Sequence, residues 1–241
     1  GGAHVGVSAG RCWGPHEGTA PPRGVPASTV DYYCDLIERG LGVPVADRRP
    51  QLALTEPERS AANELLGGVA RPFALFIPGG NNPAKRWAPE RFAAVAGHLA
   101  RRHGLGVVAS GSPGEREVIG AIVRASPVTI TNLAERAVDL GALKGVVAQA
   151  SLVITNDTGP RHFAAAFAVP TVALFGPTDH RWTRLPGVPE RVLVAEPFLP
   201  EELVADDRAT VCRMDRITVG DVVAAVDALM GQATRPTSRE T

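Results

Sequence analysis

The segment NDTGPRH at 156–162 sets Asp157, Thr158, Gly159, Arg161 and His162 between an apolar run, LVIT, and an alanine-rich one, FAAAFA. At a strand-to-helix junction the first helical amides lack intrahelical acceptors and carry the positive end of the helix dipole. An anion is the ligand they suit. Gly159 lets a phosphate come close to the backbone, Thr158 adds a hydroxyl donor, and His162 falls in the first helical turn. A plainer use of the same residues is also open, with Thr158 or Asp157 as an N-cap and His162 as a half-buried surface histidine.

Two further polar turns carry chemistry. In PGGNNPAKRW at 78–87, Lys85 follows the Gly79–Gly80 pair. A lysine in a glycine-rich loop is a mobile point charge suited to a diphosphate, or else a solvated charge beside Arg86. In GSPGERE at 111–117, Glu115 either bonds a ribose hydroxyl or favours a helix start. GPTD at 176–179 lies close behind the first segment. Several chemistries lack their signatures. Neither G-x-G-x-x-G nor a P-loop is present, and there is no G-x-S-x-G elbow. No D-x-D pair occurs and no His, Asp and Cys residues stand at ligand spacing, so no metal site is expected. Trp13, Trp87 and Trp182 read as packing residues, and Asp206 and Asp207 as solvated.

The elements that must position these turns are legible as an alternation. FALFIP at 73–78, GVVAS at 106–110, VTIT at 128–131, LVIT at 152–155 and TVALF at 171–175 are short apolar runs, with RVLVAEP as a sixth. Helix-period segments lie between them: PERFAAVAGHLARRH, PGEREVIGAIVRA, DLGALKGVVAQA and GPRHFAAAFA, with TVGDVVAAVDALMG at the end. Strands apolar on both faces and alternating with helices imply a parallel sheet covered on both sides. Right-handed crossovers make it α/β and Rossmann-like, doubly wound, with ligands at the carboxyl ends of its strands. All three polar turns fall at those ends. Upstream, residues 1–27 read as loop. A helix with a capping box begins at Ser28, carrying Leu36, Ile37 and Leu41 as an apolar stripe in need of a partner. A second helix spans roughly 56–66.

The chain has 241 residues with 25 basic and 25 acidic ones. That balance gives no drive toward nucleic acid, and nucleic acid is not an expected partner. Cys12, Cys34 and Cys212 are isolated, which argues against a disulfide framework and for a reducing compartment. With no run near the ~20 residues of a membrane span, the expected place is cytoplasmic, with at most peripheral contact at the inner face of the membrane. The start GGAHVGVSAG lacks both Met and a signal pattern. The chain is expected to begin inside a longer protein.

Together, IPGGNNPAKRWAPERFAAVAGHL, GSPGERE, NDTGPRHFAAAFAVPTVALFGPTD and the late CRMDRITVGDVVAAV resemble glycosyltransferase family 9, the ADP-heptose:lipopolysaccharide heptosyltransferases. The agreement runs from about residue 28 to 231 in order and spacing. The resemblance implies a GT-B architecture of two Rossmann-like domains facing across a cleft. This chain would supply its carboxyl-terminal, donor-binding half, with a remnant of the amino-terminal acceptor domain at 1–45, a linker with a helix at 46–71, the donor domain at 72–235 and a tail at 236–241. It implies that Lys85, Thr158 and Gly159 hold phosphate oxygens, that Asp157 and His162 shape that site, that Glu115 meets the ribose and that Val138 lines the adenine pocket. It further implies inverting transfer of a heptose from an ADP-sugar to a lipopolysaccharide-core acceptor, without a metal or other cofactor. The family's acidic base belongs to the amino domain, and neither His16 nor Glu17 matches it. Two other functions remain open on the residues alone: a non-catalytic adenine-nucleotide-binding module, and another GT-B enzyme such as a nucleotide-sugar epimerase.

Overall fold

The computed structural model describes residues 7–8, 11–12, 28–195 and 212–233. The tail expected at 236–241, the Asp206–Asp207 pair, and His16 and Glu17 lie outside the described residues. Where residues 1–27 read as loop, β1 (Val7–Ser8) and β2 (Arg11–Cys12) pair as a two-residue antiparallel ribbon.

The apolar runs become strands close to the expected bounds. They are β3 (Phe73–Ile77), β4 (Gly106–Ala109), β5 (Ile130–Asn132), β6 (Leu152–Asn156), β7 (Thr171–Phe175) and β8 (Glu190–Val194). They form one parallel sheet in the order β5-β4-β3-β6-β7-β8. The chain starts at the centre, winds outward through β4 and β5, returns to β6 beside β3, and winds outward the other way. This is the doubly wound Rossmann order, and its reversal point lies between β3 and β6.

Side-chain alternation along β3 explains why the run is apolar throughout. Ala74 and Phe76 face one layer, while Phe73, Leu75 and Ile77 face the other. The first layer holds α3 (Pro89–His103), α4 (Arg116–Ala125) and α7 (Val219–Ala233), whose Phe92, Leu99, Ile119, Ile122, Val222 and Val226 are buried. The second holds α2 (Glu56–Leu65), α5 (Leu140–Gln149) and α6 (Pro160–Ala166), with Ala62, Val146, Val147 and Ala164 buried. Each large apolar side chain so buried contributes about 1.5–3 kcal/mol. The helix assigned to the linker from sequence is α2. It starts with a capping box of Thr55 and Glu58 and lies along α5, where Glu58 also pairs with Lys144 at 2.6 Å.

The first helix, α1 (Thr29–Leu41), is attached differently. Ser28 Oγ and Thr29 Oγ1 donate to the carbonyls of Arg184 and Trp182 at 3.0 and 2.7 Å. The capping contact from the Asp31 amide to Ser28 Oγ is long, at 3.5 Å. Arg48 turns back onto the helix to pair with Asp31, Asp35 and Glu38. No residue of α1 is fully buried, and Tyr33, Ile37 and Leu41 are exposed. The apolar stripe read from the sequence therefore has no covering layer among the described residues.

Candidate functional site

A cavity of about 560 Å3 opens at the carboxyl ends of β3, β4 and β6, beside the point where the winding reverses. Loops leaving adjacent strands in opposite directions part there and leave a crevice. Lys85, Glu115, Val138, Asp157, Thr158 and Gly159 all line it, together with Ser110, Asp139, Leu140 and Leu143. His162 does not. It sits one turn into α6 with its side chain exposed, yet dense surroundings, then the charge of Arg161, lower its pKa from the ordinary imidazole value. If a diphosphate settles on the 157–159 turn, its charge favours the imidazolium form. The His162 ring followed by NMR is then expected to titrate at higher pH with ADP than without; an unmoved titration would place the anion elsewhere.

The first loop is braced on three sides. Asn156 ends β6 fully buried, and its Nδ2 donates to the carbonyls of Pro78 and Gly79 at 2.6 and 3.2 Å. Arg86 Nε donates to the Gly80 carbonyl at 2.8 Å. Glu115 accepts from the Gly80 amide at 2.7 Å through Oε1 and from the Ser112 amide at 2.6 Å through Oε2. Gly80 has φ 153°, and a Cβ on Gly79 would fall 1.8 Å from Oε1 of Glu115, so the glycine pair is required by shape. Arg86 is thus no free surface charge, and Glu115 ties two loops whatever else it meets.

This bracing fixes Lys85, in a short 3-10 turn at Pro83–Lys85, against the other side of the crevice. Its Nζ donates to Asp157 Oδ2 at 3.1 Å. The carboxylate aims the ammonium across the cavity, and the ammonium offsets the carboxylate's own negative charge at the mouth. Thr158 Oγ1 lies 3.2 Å from Thr155 Oγ1. Pro160 has no N–H, and the amides of Arg161 and His162 already bond the carbonyls of Thr158 and Gly159. The Thr158 and Gly159 amides remain as the donors of the turn, and a Cβ on Gly159 would meet nothing within 4 Å, so space stands open above it. The helix behind them is only seven residues long, so the local amides rather than a long dipole set the field.

Arg161, from the same segment, faces away from the cavity. It is 1% exposed, its Nε and Nη2 donate to the two carboxylate oxygens of Glu190 at 2.6 Å each, and Nη1 donates to the Thr183 carbonyl at 2.9 Å. Dense polarity at this junction therefore serves two purposes, with Asp157 to Gly159 open to a ligand and Arg161 locked into the fold. Sequence reasoning missed Asn156 and Ser110. Asn156 had no visible partner, because those partners lie 77 and 78 residues away. Ser110 directly follows β4, 1% exposed, with an Oγ that bonds no group among the described residues while lining the cavity. Its signal was a serine closing an otherwise apolar strand.

The fold brings together two histidines and an aspartate that stand at no ligand spacing in the sequence. His98 and His103 on α3 both meet Asp227 on α7, far from the cavity. Spacing in sequence hid this, because α7 is reached only through the fold.

Comparison with known proteins fits the geometry. The model of the family described as "Glycosyltransferase family 9 (heptosyltransferase)" matches residues 21–201. Lipopolysaccharide heptosyltransferase 2 of Escherichia coli K12 is 34% identical over 141 residues, 56% of this chain and 40% of that one. Lipopolysaccharide heptosyltransferase 3 of Escherichia coli is 30% identical over 177 residues, 71% of this chain and 51% of that one. The solved E. coli ADP-heptose LPS heptosyltransferase II superposes with a TM-score of 0.64 at 28% identity, over 77% of this chain and 55% of that one. The family 9 glycosyltransferase of Veillonella parvula shares the fold, with a TM-score of 0.71 at 24% identity over 86% and 61%. The chain spans about half, or less, of the length of the curated relatives it matches. With three quarters of its length inside the family pattern, the chain belongs to glycosyltransferase family 9, the heptosyltransferase family.

Proposed function

We propose that the cavity binds the ADP moiety of an ADP-sugar, an ADP-heptose, and that the chain is the donor-binding part of a glycosyltransferase acting on a lipopolysaccharide-core acceptor. The observation that carries this is one crevice at the winding reversal that joins Lys85, the open turn at 157–159 and the apolar patch of Val138, Leu140 and Leu143. A cation and free amides suit the diphosphate, and the patch suits the flat adenine ring. The volume is in the range of small-ligand sites, ~300–1,000 Å3. Glu115 faces the ribose from its braced position, Asp157 holds Lys85, and His162 adds to the field around the phosphates. The E. coli relative with 28% identity acts, by its printed description, on ADP-heptose.

In transfer, the bond between the sugar carbon and the β-phosphate oxygen breaks as the acceptor oxygen attacks, and negative charge grows on the departing ADP. Lys85 and the Thr158 and Gly159 amides stand where that charge develops, which is where stabilisation lowers a barrier. No metal is assigned to this step. The cavity carboxylates are already engaged: Asp157 by Lys85, Glu115 by two amides and Asp139 by the Ala142 amide at 2.7 Å. The acceptor and its base belong to a facing domain, of which residues 1–45 are the part in this chain, with 72–235 forming the donor domain. Among the described residues no helix is long and apolar enough to cross a membrane; a peripheral position at the inner face of the cytoplasmic membrane suits an acceptor with a lipid anchor.

Calorimetric titration with ADP, UDP and GDP in EDTA tests this reading. ADP is expected to bind with the highest affinity, and adding Mg2+ is expected to change nothing. UDP binding as strongly would remove the adenine assignment, and dependence on Mg2+ would remove the cation-and-amide account. Ser110→Ala is expected to weaken ADP by about 0.5–1.5 kcal/mol without loss of stability, because it deletes a cavity hydroxyl that bonds no protein group among the described residues. A fall in melting temperature with unchanged affinity would assign that hydroxyl to the fold.

A further inference from the structure

The C-terminal turn of α3 and the middle of α7 meet in a feature with no part in nucleotide binding. His98 Nε2 and His103 Nε2 approach the same carboxylate oxygen, Asp227 Oδ1, at 2.8 and 2.7 Å, with the two rings 5.5 Å apart at an edge-to-face angle of 66°. The three ligating atoms lie within 4.8 Å of one another. All three side chains are partly open to water, with exposures of 23%, 15% and 43%.

We propose that His98, His103 and Asp227 form a site for a divalent transition-metal ion of the Zn2+ type, clamping α3 to α7.

A hydrogen bond between helices needs one imidazole and one carboxylate, whereas here two imidazoles converge on one oxygen from separate turns. Ligand atoms around four-coordinate Zn2+, each ~2.0–2.2 Å from the ion, stand ~3.3–3.5 Å apart. The two nitrogen–oxygen contacts need to open by about half an ångström and the two nitrogens, within 4.8 Å of each other, to settle at the same spacing, a movement within reach of partly exposed side chains. Two nitrogens and one carboxylate oxygen match Zn2+ and its neighbours and do not match Mg2+ or Ca2+, which take oxygen ligands. Hydrogen bonds, from His98 first and then His103, hold the Asp227 carboxyl below the usual carboxylate range, so it is ionised at neutral pH. Each imidazole would ligate through Nε2 with its proton on Nδ1, and a water would take the fourth position. Because α3 carries the chain from the cavity end of the sheet to its far end over about 22 Å, the ion stands away from the nucleotide. The clamp ties the late helix to the sheet layer and acts on stability rather than on transfer.

The 241-residue chain, stripped with EDTA and then titrated with Zn2+, provides the test. One ion is expected to bind, the melting temperature is expected to rise with free Zn2+, and the ring signals of both His98 and His103 are expected to move together in NMR spectra. His98→Ala and His103→Ala are each expected to weaken Zn2+ binding by at least about tenfold, and Asp227→Asn, which keeps the size of the side chain, is expected to do the same. Near-ultraviolet circular dichroism reads whether the variants keep their packing. If Zn2+ leaves both ring signals of the wild-type chain in place, or if folded variants bind it undiminished, the site does not exist. Loss of packing in the variants leaves the wild-type ring signals to decide the matter.

Discussion

Lys85→Ala will weaken ADP binding by about 1.5–3 kcal/mol, roughly ten- to more than a hundred-fold in Kd, while leaving the melting temperature almost where it was. The two halves of that expectation have separate causes. Lys85 is 30% exposed on a short loop, and its ion pair with Asp157 is of the partly solvated kind worth about 0–1 kcal/mol to a fold. Toward a diphosphate the same ammonium makes a charge-assisted contact inside a crevice of low dielectric. Its removal also leaves Asp157, 14% exposed, as an uncompensated negative charge facing the phosphates. Calorimetry and thermal unfolding on one preparation check both parts. A lowered melting temperature with unchanged affinity would make Lys85 a structural charge and leave the cavity without its cation.

Arg161→Met will do the reverse. Arg161 has no side-chain exposure and Glu190 has 8%, so the substitution strands a carboxylate in the interior. It also removes the donor to the Thr183 carbonyl and the guanidinium stacked 5.0 Å over the Phe175 ring. Breaking a buried pair in this way costs about 3–5 kcal/mol, which in a chain of this size is a fall in melting temperature of about 6–20 °C. ADP affinity of the folded fraction is expected to hold, because the guanidinium points away from the cavity. Adding Glu190→Leu to Arg161→Met is expected to recover much of the loss, since the cost lies mainly in the unpaired charge. A single variant as stable as the parent would mean that Glu190 finds water or another partner.

Lys85 and Arg161 mark how far the sequence could be read. The strands were legible because β3, β6 and β7 are covered on both faces and leave uninterrupted apolar runs. The helices were legible from their period and from the cap at Ser28. Five of the six cavity residues, Lys85, Glu115, Asp157, Thr158 and Gly159, could be named because a doubly wound sheet puts every polar βα turn at one end, while Val138 was named by the family resemblance alone. Direction was beyond the sequence. Asp157 and Arg161 sit on one junction, yet the crossing of β8 behind α6 supplies Glu190 to draw Arg161 inward. For Glu115 the sequence offered a ribose contact or a helix start, and its bond to the Gly80 amide across to another loop was in neither reading. Asn156 braces the first loop through carbonyls 77 and 78 residues away, and Asp227 meets histidines 124 and 129 residues earlier. Pairings of that range are set by packing of whole elements and leave no local pattern.

The direct measurement is an amide-resolved NMR titration of the 15N-labelled chain with ADP. The largest shifts are expected at Thr158 and Gly159, where amides meet the diphosphate, and at Val138, Leu140 and Leu143 around the adenine, all saturating together at one equivalent of nucleotide. Shifts that saturate elsewhere on the surface, or none at millimolar ADP, would contradict a donor site between β3 and β6.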